Sequence, residues 1–596
     1  MSITPKSSNA HNNTPLSPNI IKDSSTGGAG VIAGELAAED VGLISKDTLA
    51  SHQYGSLSED NTGYGAPEER EDEGETDDLN GFALPKRQLY TVIGSLYMAS
   101  FLAALDTTVV TTLLSVIASD LNAVENIAWI ATAYLLSCSA FQPLFGKLSD
   151  IFGRKVLLVI CCAFFGVGCC ICVTDSLFWL VFGRFITGCG GSGLTTLGTI
   201  TMSDLIPLRE RGLYQGLANI CFGLGAASGG IIGGAVADYF GWKYVFVLQV
   251  PLAAIVGVAI YSYLNLPAGS PGLGSPGTEF KEKLKRVDFL GAFLLVSALM
   301  LILTAASMGG KQLAYLSPFF ITLIIVSAAL LVAFVYVETY VSQEPIIPME
   351  VMTERTVLAS SLSNWFYTMG VFAYLFYVPL FFQAGMGFSA TQGGERLIPN
   401  FFAVSCGSVG AGLYMRKTGR YYKLTVAVGL LSLLGMIRII LLSPKSSLFT
   451  QFTILLIPGL GYLCMLTVTL LSLIAAVPVK YQACTTSIQY TFRATGSTLG
   501  VAIASAVFQN VTRSQMVSRI HALVSDEKLA NDIISRALEN TSYAKEAPKI
   551  VQHAIMKSYQ LGCRGTFIFS TVTIALGYFS SLFMREHVLH TKIERD

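Results

Sequence analysis

The chain has 596 residues, 52% of them hydrophobic and only 13% charged, with 39 basic and 39 acidic side chains. Soluble domains carry about 25% charged residues, so this composition, with a mean hydropathy of +0.56, excludes an ordinary soluble protein. A net charge of zero offers no basic face for nucleic acid. The 12 cysteines lie in apolar runs as small hydrophobes, not in the spacing of a disulfide framework or a metal site.

Residues 1–85 are rich in Ser, Asn, Gly, Asp and Glu, and cannot bury enough apolar surface to order themselves. They read as a disordered, acidic cytoplasmic tail without the short apolar segment of a cleavable signal. Within it, Glu39, Leu43 and Ile44 have the spacing of an acidic dileucine sorting signal, a site for a sorting adaptor; a chance match in an acidic tail is the other reading.

From Leu89 onward, apolar runs of about 20 residues alternate with short polar breaks, the pattern of membrane-spanning helices. Fourteen are expected: 89–114, 127–147, 156–174, 178–202, 214–236, 245–265, 288–308, 318–338, 358–382, 394–414, 424–442, 449–476, 485–508 and 561–583. The expected fold class is therefore an all-α polytopic membrane protein. Alternate short loops hold most of the Lys and Arg, from Lys147, Arg154 and Lys155 through Arg416, Lys417 and Arg420 to Lys480. The positive-inside rule places these loops and both termini in the cytoplasm.

The expected units are an N-terminal bundle at 86–266, a cytoplasmic linker at 267–287 and two additional spans at 288–355. A C-terminal bundle at 356–585 and a cytoplasmic end at 586–596 follow. The linker is flexible by its Pro, Gly and Ser content. The lumenal loop 509–560 has apolar residues at helical spacing and two sequons, at Asn510 and Asn540, that are candidates for glycosylation.

Charges embedded in spans are few, and each is a functional candidate because burial in lipid is costly. Asp106 stands in an apolar first span, in the stretch LDTTVV. It reads either as a structural carboxylate bonded to a threonine or a facing arginine, or as a group that a proton and a cationic substrate contest. Arg184, in GRFITG, reads equally as half of a structural ion pair or as a group that tunes a carboxylate or holds a substrate's. Arg493 lies near the inner end of the thirteenth span, and Arg438 reads as snorkelling or structurally paired. All six histidines fall outside the spans, so a proton path has to use carboxylates. No catalytic constellation is embedded, which argues against an enzyme. Gly225, Gly229, Gly233 and Gly234 clear one face of the fifth span for another helix. Between the second and third spans, GKLSDIFGRK sets Gly146, Asp150, Gly153, Arg154 and Lys155 in a short charged loop.

Taken together, these motifs resemble the major facilitator superfamily. GKLSDIFGRK is similar to its gating loop, Arg184 with Gly188 to its fourth-span motif, and the fifth-span glycines to its antiporter motif, with Gly230 where proline is usual. LDTTVV, Trp242–Phe246 and Phe492–Gly500 resemble the fourteen-span drug:proton antiporter group. Within it the tail and the dileucine-like element are most similar to fungal vacuolar basic amino acid transporters. The resemblance implies two six-helix bundles plus two extra spans, alternating access, no cofactor and a drive from the proton gradient. It implies a vacuolar membrane antiporter that moves Lys, Arg or His into the lumen. A plasma-membrane exporter of drugs or organic cations is the alternative, since ninth-span aromatics such as Trp365, Tyr367, Tyr374 and Phe382 could wall a cation site. A nutrient sensor on a transporter fold is the alternative of another class. Partners on every reading are the lipid bilayer and a small molecule, joined on the transport readings by protons, and Asp106, Arg184 and Arg493 are the candidates for binding.

Overall fold

A backbone in lipid has no water to satisfy its polar groups, so long apolar runs become helices. The computed structural model of the protein describes residues 84–121, 128–266, 270–275, 279–310, 313–524, 526–539, 543 and 547–589. The tail with Glu39, Leu43 and Ile44, the sequon residue Asn540 and residues 590–596 lie outside the described residues.

Fourteen long helices match the fourteen expected spans. They are α1 (Lys86–Asp120), α2 (Ala128–Phe152), α3 (Arg154–Cys172), α4 (Leu177–Leu205), α5 (Leu208–Phe240), α6 (Lys243–Tyr263) and α7 (Phe289–Met308). Next come α8 (Pro318–Tyr340), α9 (Arg355–Leu380), α10 (Ile398–Thr418), α11 (Tyr422–Ile440), α12 (Leu456–Ala475), α13 (Gln482–His521) and α14 (Lys549–Ser581).

Eleven of the described helices are long and apolar enough to cross a membrane; α2, α13 and α14 are not among them. The reason is where their surfaces go. Their polar residues are buried against protein, as with Ser137, Ser139 and Gln142 on α2, Thr485, Ser487 and Gln489 on α13, and Thr566, Ser570 and Thr573 on α14. Many of these hydroxyls bond to a carbonyl one turn back, such as Thr566 to Cys563 and Ser570 to Thr566, so polarity costs little there.

Two large apolar cores form. One draws on α1–α6 with Phe165, Leu194 and Phe246 among its members. The other draws on α9–α14, with Tyr374, Phe382, Met436 and Phe567. Helices α7 and α8 pair as a hairpin and rest on α2, where Leu295, Leu299 and Phe334 close over Ala140. Most of the ninth-span aromatics are core residues: Tyr367, Tyr374, Tyr377, Phe381 and Phe382 are all buried and do not wall an open cation site, while Trp365 is half-buried.

The helical spacing read in 509–560 is realised as helix, and two boundaries differ from those expected. Helix α13 continues to His521, a helix spans Glu527–Glu539, and α14 begins at Lys549. Their apolar faces, with Met516, Ile520, Ile533, Ile534, Val551 and Tyr559, form a third small core above the second bundle. Asn510 is exposed on α13, but its sequon partner Thr512 is fully buried, and a Cβ at Gly562 of α14 would run into its hydroxyl. GKLSDIFGRK is likewise mostly helix, because α2 runs to Phe152 and α3 starts at Arg154. Only Gly153 breaks it, at φ 94, a conformation that favours glycine.

Candidate functional site

Asp106 of α1 and Arg184 of α4 meet inside the first bundle. The Arg184 guanidinium donates to both carboxylate oxygens, at 2.9 and 2.7 Å, and both side chains are at most 1% exposed. Arg184 also donates to the Ile130 carbonyl and lies 4.4 Å from the centre of the Tyr134 ring. Gly188 makes room for this: a Cβ there would stand 2.6 Å from the Tyr134 carbonyl of α2. Asp106 thus spends both oxygens on its arginine. Arg493 is not with this pair, so the three candidates do not form one site.

Three of the four motif glycines place α5 on α1. A Cβ at Gly225 or Gly229 would collide with Phe101 or Thr108, and one at Gly233 would press on Val109 at 3.2 Å. Gly234 faces open space and takes no part in that contact.

At the basic end of the helices, Arg154 is 2% exposed and pairs with Asp150 at 2.7 Å and with Asp204 at the end of α4 at 3.0 Å. It also donates to Ser149. The linker is not free here. Ser275 donates to the Ile151 carbonyl at 3.2 Å, and a Cβ on Gly153 would stand 2.9 Å from the Leu273 carbonyl. Lys155 reaches Asn265 at 2.8 Å. Gly146 lets α13 in, because a Cβ there would lie 2.6 Å from the Ala483 carbonyl.

Beside it, Glu344, between α8 and α9, accepts from Lys147 of α2 at 2.9 Å and from Arg286 of the linker at 2.6 Å. Two residues on, the Ile346 carbonyl accepts from Cys484 of α13. One short segment therefore ties α2, the linker and α13 together. Arg286 above all, then Lys147, hold the Glu344 carboxyl below its ordinary value. A depressed carboxyl keeps its contribution at neutral pH and loses it only as the pH falls through that lowered value. Glu344→Gln is expected to speed maleimide labelling of Cys484 about two- to fivefold, the scale of a partly exposed ion pair. Cys563, buried in the second bundle, serves as the unchanged control in the same mass-spectrometric experiment.

The two bundles are bonded to each other from this end inward. Arg209 of α5 donates to the Arg416 and Lys417 carbonyls of α10, and Arg416 pairs with Glu210 at 2.9 Å. Arg211 donates to Gln482 of α13, and Thr199 of α4 shares a hydrogen bond with Tyr490 of α13 at 2.6 Å. Helices α5 and α10 touch through glycine, since a Cβ at Gly412 would lie 2.5 Å from the Gly212 backbone. Gly412→Val is expected to hold this end apart, cutting transport at least about tenfold while raising Cys484 labelling. Normal transport in that variant would show the contact to be dispensable.

Beyond this seal lies a small pocket between the bundles. Gln215 and Asn219 come from α5, Asn364 from α9, Thr467 from α12, and Gln489, Tyr490 and Arg493 from α13. Most of its polar groups are already engaged. Asn219 donates to Ser408 at 2.9 Å, Asn364 to the Gln489 carbonyl at 3.0 Å, and Gln489 to Thr469 at 3.1 Å. Two are not. The Gln215 side-chain oxygen is buried with no donor. Arg493 is half-buried, its guanidinium 6.0 Å from the Tyr490 ring centre, and among the described residues it has no carboxylate partner. A half-buried guanidinium with unspent donors is a receptor for a planar anion such as a carboxylate.

Sequence reasoning nominated Arg493 but not its amide companions. Their signal was present, as Gln215, Asn219, Asn364 and Gln489 interrupt apolar runs. Neutral amides are common enough in spans as helix–helix contacts that this alone does not single them out.

Known proteins share this plan. Residues 96–501 match the model of the Major Facilitator Superfamily. The chain is 34% identical over 510 residues to the multidrug resistance protein fnx1 of Schizosaccharomyces pombe, covering 85% of this chain and 94% of that one. It is 34% identical over 503 residues to the vacuolar membrane amino acid uptake transporter fnx2 of the same yeast, covering 84% of each. The vacuolar basic amino acid transporter 2 of Saccharomyces cerevisiae is 32% identical over 461 residues, 75% of this chain and 95% of its own. The two bundles, the pocket between them and these matches establish that the chain belongs to the major facilitator superfamily of membrane transporters and is not an enzyme.

Proposed function

We propose that this protein carries basic amino acids into the vacuole in exchange for protons, with the basic end of its helices in the cytoplasm. The observation that carries the reading is Arg493, an arginine that has no carboxylate partner among the described residues and lines a small pocket between the bundles. An amino acid supplies the carboxylate that this cation lacks. The pocket is small in this conformation, with a cavity volume of about 20 Å³, so on this reading a substrate is admitted only as the bundles part. Two of the relatives named above are described as vacuolar amino acid transporters, which supports the compartment and the cargo.

For the proton, the reading uses the buried Asp106–Arg184 pair. A proton on Asp106 cancels its charge and releases Arg184, so protonation and the packing of α1 against α4 are linked. The seal at the basic end makes this the conformation closed to the cytoplasm. Binding and release then alternate as the bundles rock about the pocket.

Export of organic cations is the second reading, favoured by the name of the relative fnx1. Vacuoles isolated from fungal cells with and without this chain separate the two. ATP-dependent uptake of labelled arginine and lysine is expected only with it, and dissipating the proton gradient is expected to abolish that uptake. Unchanged uptake, together with altered resistance of the cells to cationic drugs, would favour the exporter.

A further inference from the structure

We infer that the pocket selects its substrate by the α-carboxylate and not by the charge of the side chain, so that citrulline, the neutral ureido analogue of arginine, is carried by the same site. The inference rests on the reading of this chain as an amino-acid transporter and narrows it.

A site that chose its substrate by a cationic side chain would present a carboxylate to it. None lines this pocket, whose one charged side chain is Arg493. Among the described residues, Asp106, Asp150, Asp204 and Glu338 are already spent, and Asp288, whose Oδ2 has no partner, caps the start of α7 and does not line this pocket. Asp106 is bound on both oxygens by Arg184. Asp150 and Asp204 hold Arg154. Glu338 accepts from the backbone amides of Ile346 and Ile347. Freeing any of them would strand a buried charge or a buried amide, a cost no exposed substrate cation recovers cheaply.

What the pocket does offer matches the common end of an amino acid. Arg493 provides a planar fork of donors with no acceptor among the described residues, which a carboxylate fills with two parallel hydrogen bonds. The Gln215 oxygen, on a side chain 6% exposed, provides one unspent acceptor. It suits an ammonium, a guanidinium N–H or a ureido N–H equally, because an amide oxygen asks only for a donor. Arginine and citrulline have nearly the same shape and both carry the carboxylate; agmatine keeps the guanidinium and lacks the carboxylate. The geometry therefore ranks citrulline with arginine and excludes agmatine.

The test uses the full chain in two measurements. In vacuoles, labelled arginine uptake is challenged with unlabelled citrulline or agmatine, and uptake of labelled citrulline is measured directly. On purified protein, thermal stabilisation by arginine, citrulline and agmatine is compared. Citrulline is expected to compete within about tenfold of unlabelled arginine, a difference of one neutral hydrogen bond at about 1.4 kcal/mol per decade. Agmatine is expected not to compete at a hundredfold excess, and only arginine and citrulline are expected to stabilise the protein. Competition by agmatine at arginine's own concentration overturns the inference and leaves the amino-acid reading standing, as does arginine uptake that citrulline does not inhibit. If neither arginine nor citrulline is taken up or stabilises the protein, both the inference and the reading beneath it fail.

Discussion

Asp106→Asn is expected to lower both the amount of folded protein and its transport, and a second substitution separates the two effects. Asp106 and Arg184 are buried to within 1% of full coverage and joined by two hydrogen bonds. Removing one charge leaves the other unpaired in a medium that cannot solvate it, which costs about 3–5 kcal/mol. Such a loss is a large part of the stability of a folded domain, about 5–15 kcal/mol. The single variant should therefore melt earlier in detergent and accumulate less. Arg184→Gln added to it removes the stranded cation and leaves two neutral groups that can bond to each other. Melting temperature and abundance are expected to return, while uptake per molecule stays near zero, because no carboxylate remains to take the proton. Recovery of uptake along with stability would make the pair purely structural.

Arg493→Ala is the second large effect, and its signature is the opposite. Arg493 is half-buried, contacts Tyr490 at the distance of a weak cation–π pair and has no carboxylate partner among the described residues. Its loss strands no charge, so abundance and melting temperature are expected to hold. Each hydrogen bond to a charged group contributes about 1.5–3 kcal/mol, and two are lost from a bound carboxylate. Uptake at low substrate concentration should fall by at least about a hundredfold. Arg493→Lys keeps the charge but not the fork, so it is expected to recover part of the affinity. Uptake of arginine and of citrulline should fall together if one carboxylate site serves both. Full uptake in Arg493→Ala would remove this residue from the site.

Much of the architecture was legible in the chain. A hydrophobic run long enough to span lipid has one stable backbone solution, so hydropathy located all fourteen helices, including the α7–α8 hairpin beyond a twelve-helix plan. Motif residues were legible as types: Arg154 and Asp150 as a pair, Gly225, Gly229 and Gly233 as a bare face. Ends were less so. The α2–α3 turn and the extension of α13 to His521 look polar because their partners are protein and water above or below the lipid, and hydropathy measures only the match to lipid.

Partnership was not legible. Asp106 could have faced a threonine, a substrate or any of several arginines, and 78 residues separate it from the one it meets. Arg493 was a polar residue in a span until its surroundings showed which cation has a partner and which does not. Glu344 carried no signal at all, because a lone acid in a polar loop is ordinary until folding brings Lys147 and Arg286 to it. The sequence by itself determined that this protein is a membrane transporter of long helices, eleven of the described ones apolar enough to cross a membrane, since that follows from local transfer free energies. Which charges cancel, which stays unspent and what the pocket between the bundles accepts were decided by tertiary structure alone, because the cost of a buried charge depends on what stands within hydrogen-bonding distance of it.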